Sequence, residues 1–503
     1  MYKHLAVKKS LILLVAVLLI VAVLFAACGQ QPHKPVSLPE TATVGSNGGI
    51  AVTYGEWIYY VNGYESSVNA ANSYVDTQSA PRIGSVLRIK STYIAEALKI
   101  QKDDNLTSSQ KTKDIAELIR KNAEIVIPRI YYSANTTTAY FNGIYIFDNR
   151  IYILTPNDEL TAGGNSQTTQ SVLMSYDLGG GNEQRHFTFS SSSSNGNTAQ
   201  IKLYDDPNSS SHQVMATYLL DNKLHVLKLG KTENETVHTQ VTKDDETVSS
   251  VNFVENGNRV FYINANGAIC QLVDGDTTEQ VVVKNAEDWK ISYTISSVAN
   301  TYVYYTIAYE NNSTIDNKVL YWAEYDKATA DADHKTEAEY AATRKVAVDT
   351  SNVTAKGWKE NNVVIVRQTD SGYYGLYIIS DKSGTTTTLL KPGYNKDSIA
   401  INKIVGDELY YTAGGVTYIK NLNDFVKDGK VEANADKETS LGTPYAYSMS
   451  TSPTGWALPD IVTVGEHTYM FTFGTGSVSV VEFDSVKKTN STSATITLTA
   501  SED

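Results

Sequence analysis

The sequence predicts an all-β fold, a β-propeller of eight blades with seven as the alternative, carrying a small helical insertion after its first hairpin. Three observations predict it. A short phrase recurs along most of the chain: a turn pair, then a Tyr-rich strand, then a second turn and a returning strand. The intervals between copies include several of the length of one four-stranded blade, about 40–50 residues. The strands run apolar without alternating, as strands covered on both faces do.

The plainest copy is Val405-Gly406-Asp407-Glu408-Leu409-Tyr410-Tyr411-Thr412-Ala413-Gly414-Gly415-Val416-Thr417-Tyr418-Ile419. Turn chemistry brackets aromatic runs of strand length, the signature of a β-hairpin. Equivalent positions are Ile58, Ile151, Leu224, Val260, Val303, Val363, Leu409 and Thr468, at intervals of 93, 73, 36, 43, 60, 46 and 59 residues. The long intervals require insertions. For seven copies a returning strand follows directly; the copy at Leu224 has no clean partner after Leu227. Units of this size bury their apolar faces only by stacking on neighbours. The 34 tyrosines are therefore expected to be mainly structural. Each covers roughly 150–250 Å², with its hydroxyl expected at the wet edge of a blade. Leu409 and Tyr411 point to one face and Tyr410 to the other, so both rings should be buried.

The repeat, Gly/Asp-x-hydrophobic-Tyr-Tyr followed by Gly-x-Leu-Tyr-x-Ile, covers most of 49–485. It resembles the uncharacterised propeller-like domain of bacterial cell-surface lipoproteins. The resemblance implies a propeller at the cell surface. It brings no reaction, cofactor or ligand with it.

The N-terminus gives an address. Lys3, Lys8 and Lys9 precede an unbroken apolar stretch of 17 residues, Leu11 to Ala27, which reads as an export signal over 1–27. It closes on Leu24-Phe25-Ala26-Ala27-Cys28-Gly29, which resembles a bacterial lipobox. The resemblance implies cleavage before Cys28 and a diacylglyceryl group on its sulfur. The competing reading is an uncleaved anchor, since 17 residues is the lower limit for a spanning helix. Residues 28–48 hold three prolines and little apolar content, and read as a tether reaching roughly 25 Å r.m.s.. The propeller would then occupy 49–503, on the outer face of the cytoplasmic membrane.

The largest insertion follows the first hairpin. Ile94, Ala97 and Leu98, then Ile115, Leu118 and Ile119, lie at helical spacing. Two helices are expected over about 92–101 and 109–122, with Thr107 or Ser108 as N-cap, packed as decoration on the rim. Ile125-Val126-Ile127-Pro128 returns to strand, and Gly179-Gly180-Gly181 reads as a hairpin turn. Asp331, Asp333 and His334 lie close in sequence but lack the ligand spacing of a calcium loop, and read as a solvated loop.

No catalytic, metal or cofactor motif appears. The eight histidines are scattered, with no His-Glu-x-x-His and no Gly-x-Ser-x-Gly elbow. His225 and His467 stand within strand phrases and read as core or rim, and Cys270 as a small buried hydrophobe. With Cys28 lipidated, no internal disulfide could form. Removal of Lys3, Lys8 and Lys9 takes the net charge from −13 to −16, against the basic footprint that nucleic acid requires. The function this favours is a membrane-anchored binding or assembly module facing a protein or glycan of the cell envelope. Alternatives are a glycan-active hydrolase or lyase with carboxylates at the propeller axis, and a purely structural envelope protein.

Overall fold

In the computed structural model, eight antiparallel sheets stand in a ring, one per blade. The structure describes residues 44–47, 50–63, 83–128, 144–156, 170–190, 200–206, 213–243, 245–253, 259–273, 276–285, 291–299, 302–309, 319–325, 345–349, 354–358, 362–368, 372–380, 385–395, 398–405, 407–414, 416–424, 426–427, 430–431, 439–442, 460–465, 467–474, 476–484 and 489–499. Cys28, the export signal and the Asp331–Asp333–His334 group lie outside them. Blades 1 to 8 span 51–127, 145–190, 200–240, 249–283, 291–349, 354–394, 399–442 and 460–497. First strands touch across the seams of blades 2 and 3, 4 and 5, 5 and 6, 6 and 7, and 8 and 1, which sets them toward the axis.

All eight equivalent positions fall in different blades. Seven occupy the second strand and pair with the returning strand expected, as in Ile58 with Ile89, Val260 with Leu272 and Tyr410 with Ile419. Leu224 is the exception, for it lies on the third strand of blade 3, Lys223–Lys228. Its turn pair, Asp221-Asn222, has positive φ at both residues (50° and 60°), the signature of a tight primed hairpin turn. That turn joins strands two and three instead of one and two, so the partner strand (Val214–Leu220) precedes it. This displacement by one strand produces the uneven 73 and 36 intervals.

The Tyr-rich strands are buried on both faces. Trp57, Ile58, Tyr59, Tyr60 and Val61 are all buried, as are Leu409, Tyr410 and Tyr411. Several hydroxyls depart from the wet-edge expectation, whereas Tyr176, Tyr262 and Tyr302 meet glutamates of their own blades. Tyr54 donates to Asp148 O at 3.0 Å, Tyr59 to Leu178 O at 3.0 Å and Tyr145 to Ile201 O at 3.1 Å, each in or beside the next blade. A buried hydroxyl must find an acceptor, and the neighbouring blade's carbonyls supply one. Tyrosine thus joins adjacent blades where phenylalanine would only fill space.

Blades 1 and 8 close the ring without a shared strand, through side-chain contacts. Tyr60 stacks near Phe471 (6.2 Å between centroids) and donates to Leu498 O at 3.3 Å. Gly63, at φ +74°, passes so close that an added Cβ would stand 2.6 Å from the Ser477 nitrogen. The helical insertion lies across this seam. Helices α1 (Ser91–Lys102) and α2 (Ser108–Asn122) follow the third strand of blade 1 and rest on the last strand of blade 8. Ile94, Ala97, Leu98, Ile115 and Ile119 are buried beneath them. Thr107 caps α2 in a reciprocal box with Gln110, satisfying donors that a helix start leaves open.

Val44–Asn47, inside the segment read as tether, forms a strand. It pairs with the first strand of blade 2 (Val44 with Phe147, Asn47 with Tyr145) and touches the first strands of blades 1 and 3. The chain therefore enters the ring from within.

Candidate functional site

Blade 2 builds one side of the candidate site. Its fourth strand (Gln184–Ser190) pairs with the third (Gln170–Asp177) through a β-bulge: Leu173 opposes Phe187 while Met174 opposes Arg185. His186 is the extra residue. A bulge of this kind redirects a side chain out of the regular pleat. Here it turns His186 against the Tyr152 ring (5.4 Å) and into a chain of hydrogen bonds.

The chain fixes every proton. The carbonyl of Gly230 can only accept, so His186 donates to it from Nδ1 at 2.6 Å. Nε2 then accepts from the Ser175 hydroxyl at 2.6 Å, and Ser175 Oγ accepts from Arg150 Nε at 2.9 Å. Arg150 also donates to Asp177 Oδ1 and to Asn182 O, each at 2.7 Å. Burial holds the His186 imidazole neutral by pushing its pKa down to about 4; the Gly230 hydrogen bond opposes this only in part. Serine and histidine stand at the spacing of a nucleophile and its base. Yet Ser175 is 0 % exposed, so no substrate atom reaches it in this arrangement.

Blade 3 supplies the other side. The segment after its third strand crosses to blade 2, where Glu233 accepts from Arg185 Nε (3.3 Å) and from the Thr188 backbone N–H (2.8 Å). Gly230 and Glu235 approach so closely that a side chain on Gly230 has no room. Lys228 is held by Asp206 at 3.1 Å, and Gln213 donates to Leu229 O. Between the blades lies a cavity of about 670 Å³, within the range of small-molecule sites. Arg150, Gln184, His186, Gln213, Lys228 and Lys231 give it polar walls; Tyr152, Val214 and Leu229 add apolar surface.

None of these residues belongs to a motif visible in the sequence. The axis, where converging carboxylates would mark a hydrolase, carries few on its strands: Asp205 and Asp460, beside Lys202, Lys356 and Lys403, among polar, aromatic and aliphatic residues. The described histidines with displaced pKa values, His186, His225 and His238, lie on third and fourth strands. His225 is buried, whereas His467 is exposed and meets Glu482 at 2.6 Å. Cys270 is a buried free thiol whose ionisation burial pushes upward. Among the described residues no three of His, Cys, Asp and Glu converge on a metal position, and no helix is long and apolar enough to cross a membrane.

No protein-family model matches the chain, and no curated protein matches its sequence. Solved structures with similar backbones include an oligogalacturonate lyase in complex with manganese (10% identity, TM-score 0.33), covering 58% of this chain and 83% of that one. A chain of the mitotic checkpoint complex matches at 9% identity and TM-score 0.30, over 59% of this chain and 81% of its own. Prolyl oligopeptidase B from Galerina marginata matches at 11% identity and TM-score 0.40, over 93% of this chain and 61% of its own. The eight-bladed β-propeller is shown by the sheet order of this chain itself.

Proposed function

We propose that the chain is an extracytoplasmic lipoprotein, anchored through Cys28, whose propeller is a binding module, and that the cavity between blades 2 and 3 takes a polar ligand of the cell envelope, a glycan segment first. The observation that carries this reading is the state of the cavity's side chains. Arg150, Lys228 and His186 are held by Asp177, Asp206 and Gly230 before any ligand arrives. Groups fixed in advance lose little freedom on binding, and Ser175, the hydroxyl paired with the imidazole, is shut off from substrate by its burial. The Gln184 and Gln213 amides and Lys231 add donors that suit hydroxyl- and carboxylate-bearing sugars. The anchor reading rests on the lipobox-like Leu24–Cys28 run and on a tether that leads into the ring.

Two experiments test the two halves. Cys28→Ser should abolish incorporation of labelled fatty acid and detergent partitioning. Continued acylation of that variant, or a native protein retaining 1–27, would refute the anchor. A glycan array probed with the full chain should yield ligands whose binding falls in Gln184→Ala and Gln213→Ala. A ligand bound equally by wild type and by both variants would place the site elsewhere.

A further inference from the structure

We infer that blade 3 carries a second site, for a divalent transition-metal ion of the copper or nickel type, with His225 Nδ1 and His238 Nε2 as ligands and the Tyr218 hydroxyl beside them. The three residues come from neighbouring strands. Tyr218 lies on Val214–Leu220, directly opposite His225 on Lys223–Lys228. His225 opposes Gln240 on Val237–Gln240, so His238 is its diagonal neighbour on the same face. Diagonal cross-strand positions are within reach for ring side chains.

The heteroatoms converge on one point. His238 Nε2 is 3.0 Å from His225 Nδ1 and 3.0 Å from the Tyr218 oxygen. An imidazole nitrogen has a single lone pair or a single proton to offer along one direction. It can complete one well-aligned hydrogen bond, not two, and His225 Nδ1 has no other partner among the described residues. At rest one N–H···N hydrogen bond links the two rings; with each ring protonated on its other nitrogen, the same two atoms offer a pair of lone pairs to an electrophile.

The surroundings hold the pair in place. The Tyr218 ring lies flat against His225, 4.6 Å between centroids and 10° between planes. Phe187 from blade 2 sits 5.3 Å from His238 and 6.1 Å from Tyr218. Side chains locked by packing make better ligands than free ones. All four residues of Val237–Gln240 are exposed, which leaves a route for an ion and its waters.

Geometry selects the ion. Bonds of roughly 2.0–2.1 Å to two nitrogens 3.0 Å apart subtend an angle of about 90–95° at the metal. That is the cis angle of a tetragonal site, which Cu²⁺ and Ni²⁺ prefer, and is narrower than the tetrahedral angle of zinc. Copper also heads the affinity order for such ligands. The Tyr218 hydroxyl, 3.0 Å from His238 Nε2, is placed to serve as a neutral donor or as a hydrogen-bond partner to a bound water.

The test titrates the metal-free full chain in detergent with Cu²⁺ alone, followed by calorimetry and electron paramagnetic resonance. One equivalent should bind with nitrogen hyperfine structure. His225→Ala and His238→Ala should each weaken it by about tenfold or more, and the double variant should abolish it. Tyr218→Phe should weaken it less, and His467→Ala should leave it unchanged. Since His238 is exposed, His238→Gln with an unchanged melting curve separates loss of a ligand from loss of fold. Absence of a stoichiometric Cu²⁺ site, or one that survives in His238→Gln or in the double variant, overturns the assignment.

Discussion

Protonation of His186 should unfold this protein by a calculable amount. In the native state Nε2 accepts from Ser175, and Ser175 in turn accepts from Arg150. A proton on Nε2 reverses the first of these bonds and places a cation near the Arg150 guanidinium in a site only 2 % exposed. The native pKa is accordingly about 4, below the ordinary value of 6.5. Between these two values the unfolded chain binds a proton that the native chain does not, so stability falls as pH falls through that window. The difference of about 2.5 units is worth about 3 kcal/mol, fully present above pH 6.5 and fully lost near pH 4. Carboxylates titrate in the same range, so the contribution must be isolated by comparison. Urea denaturation of wild type and His186→Gln at pH 7.5 and at pH 4 supplies it. The stability advantage of wild type over the variant should shrink by about 3 kcal/mol at the lower pH. An advantage that is the same at both pH values would refute the buried, neutral imidazole and the proton chain built on it.

Other substitutions report on the ring itself. Tyr410→Ala and Tyr411→Ala should each cost about 3–5 kcal/mol and lower the thermal midpoint, because both rings are buried between blades. A variant that melts like wild type yet loses a ligand would make that tyrosine a binding residue. Gly63→Ala should cost more than about 1 kcal/mol, from the left-handed backbone and the approach to Ser477. An unchanged melting curve there would mean that blades 1 and 8 do not meet as described.

The blades were legible because each turn-plus-tyrosine phrase is local, and turn chemistry sets hairpin register without reference to the rest of the fold. The same locality explains the displacement at Leu224. Asp221-Asn222 announces a hairpin but not which two strands of a blade it joins. The helices were legible from Ile94, Ala97 and Leu98 on one stripe and from Thr107 as a candidate N-cap, whose reciprocal partner Gln110 the structure adds. The cavity was not legible. Arg150, His186 and Lys228 come from three strands of two blades and Gln213 from the residue before a fourth, and only the ring brings them together. His186 reaches its partners through a bulge, which leaves no mark in the pattern Gln184-Arg185-His186-Phe187. Nor could the sequence indicate that tyrosine hydroxyls would bridge blades, since their acceptors, such as Leu178 O for Tyr59, lie far along the chain.

The most direct test of the binding-module account is hydrogen–deuterium exchange of the full chain with and without an envelope glycan identified on the array. The account predicts slowed exchange at 184–190, 213–214 and 228–237, the segments that wall the cavity, with the axis strands and the α1–α2 insertion unaffected. Protection concentrated on the axis strands or on 91–122, with the cavity segments exchanging as before, would contradict it.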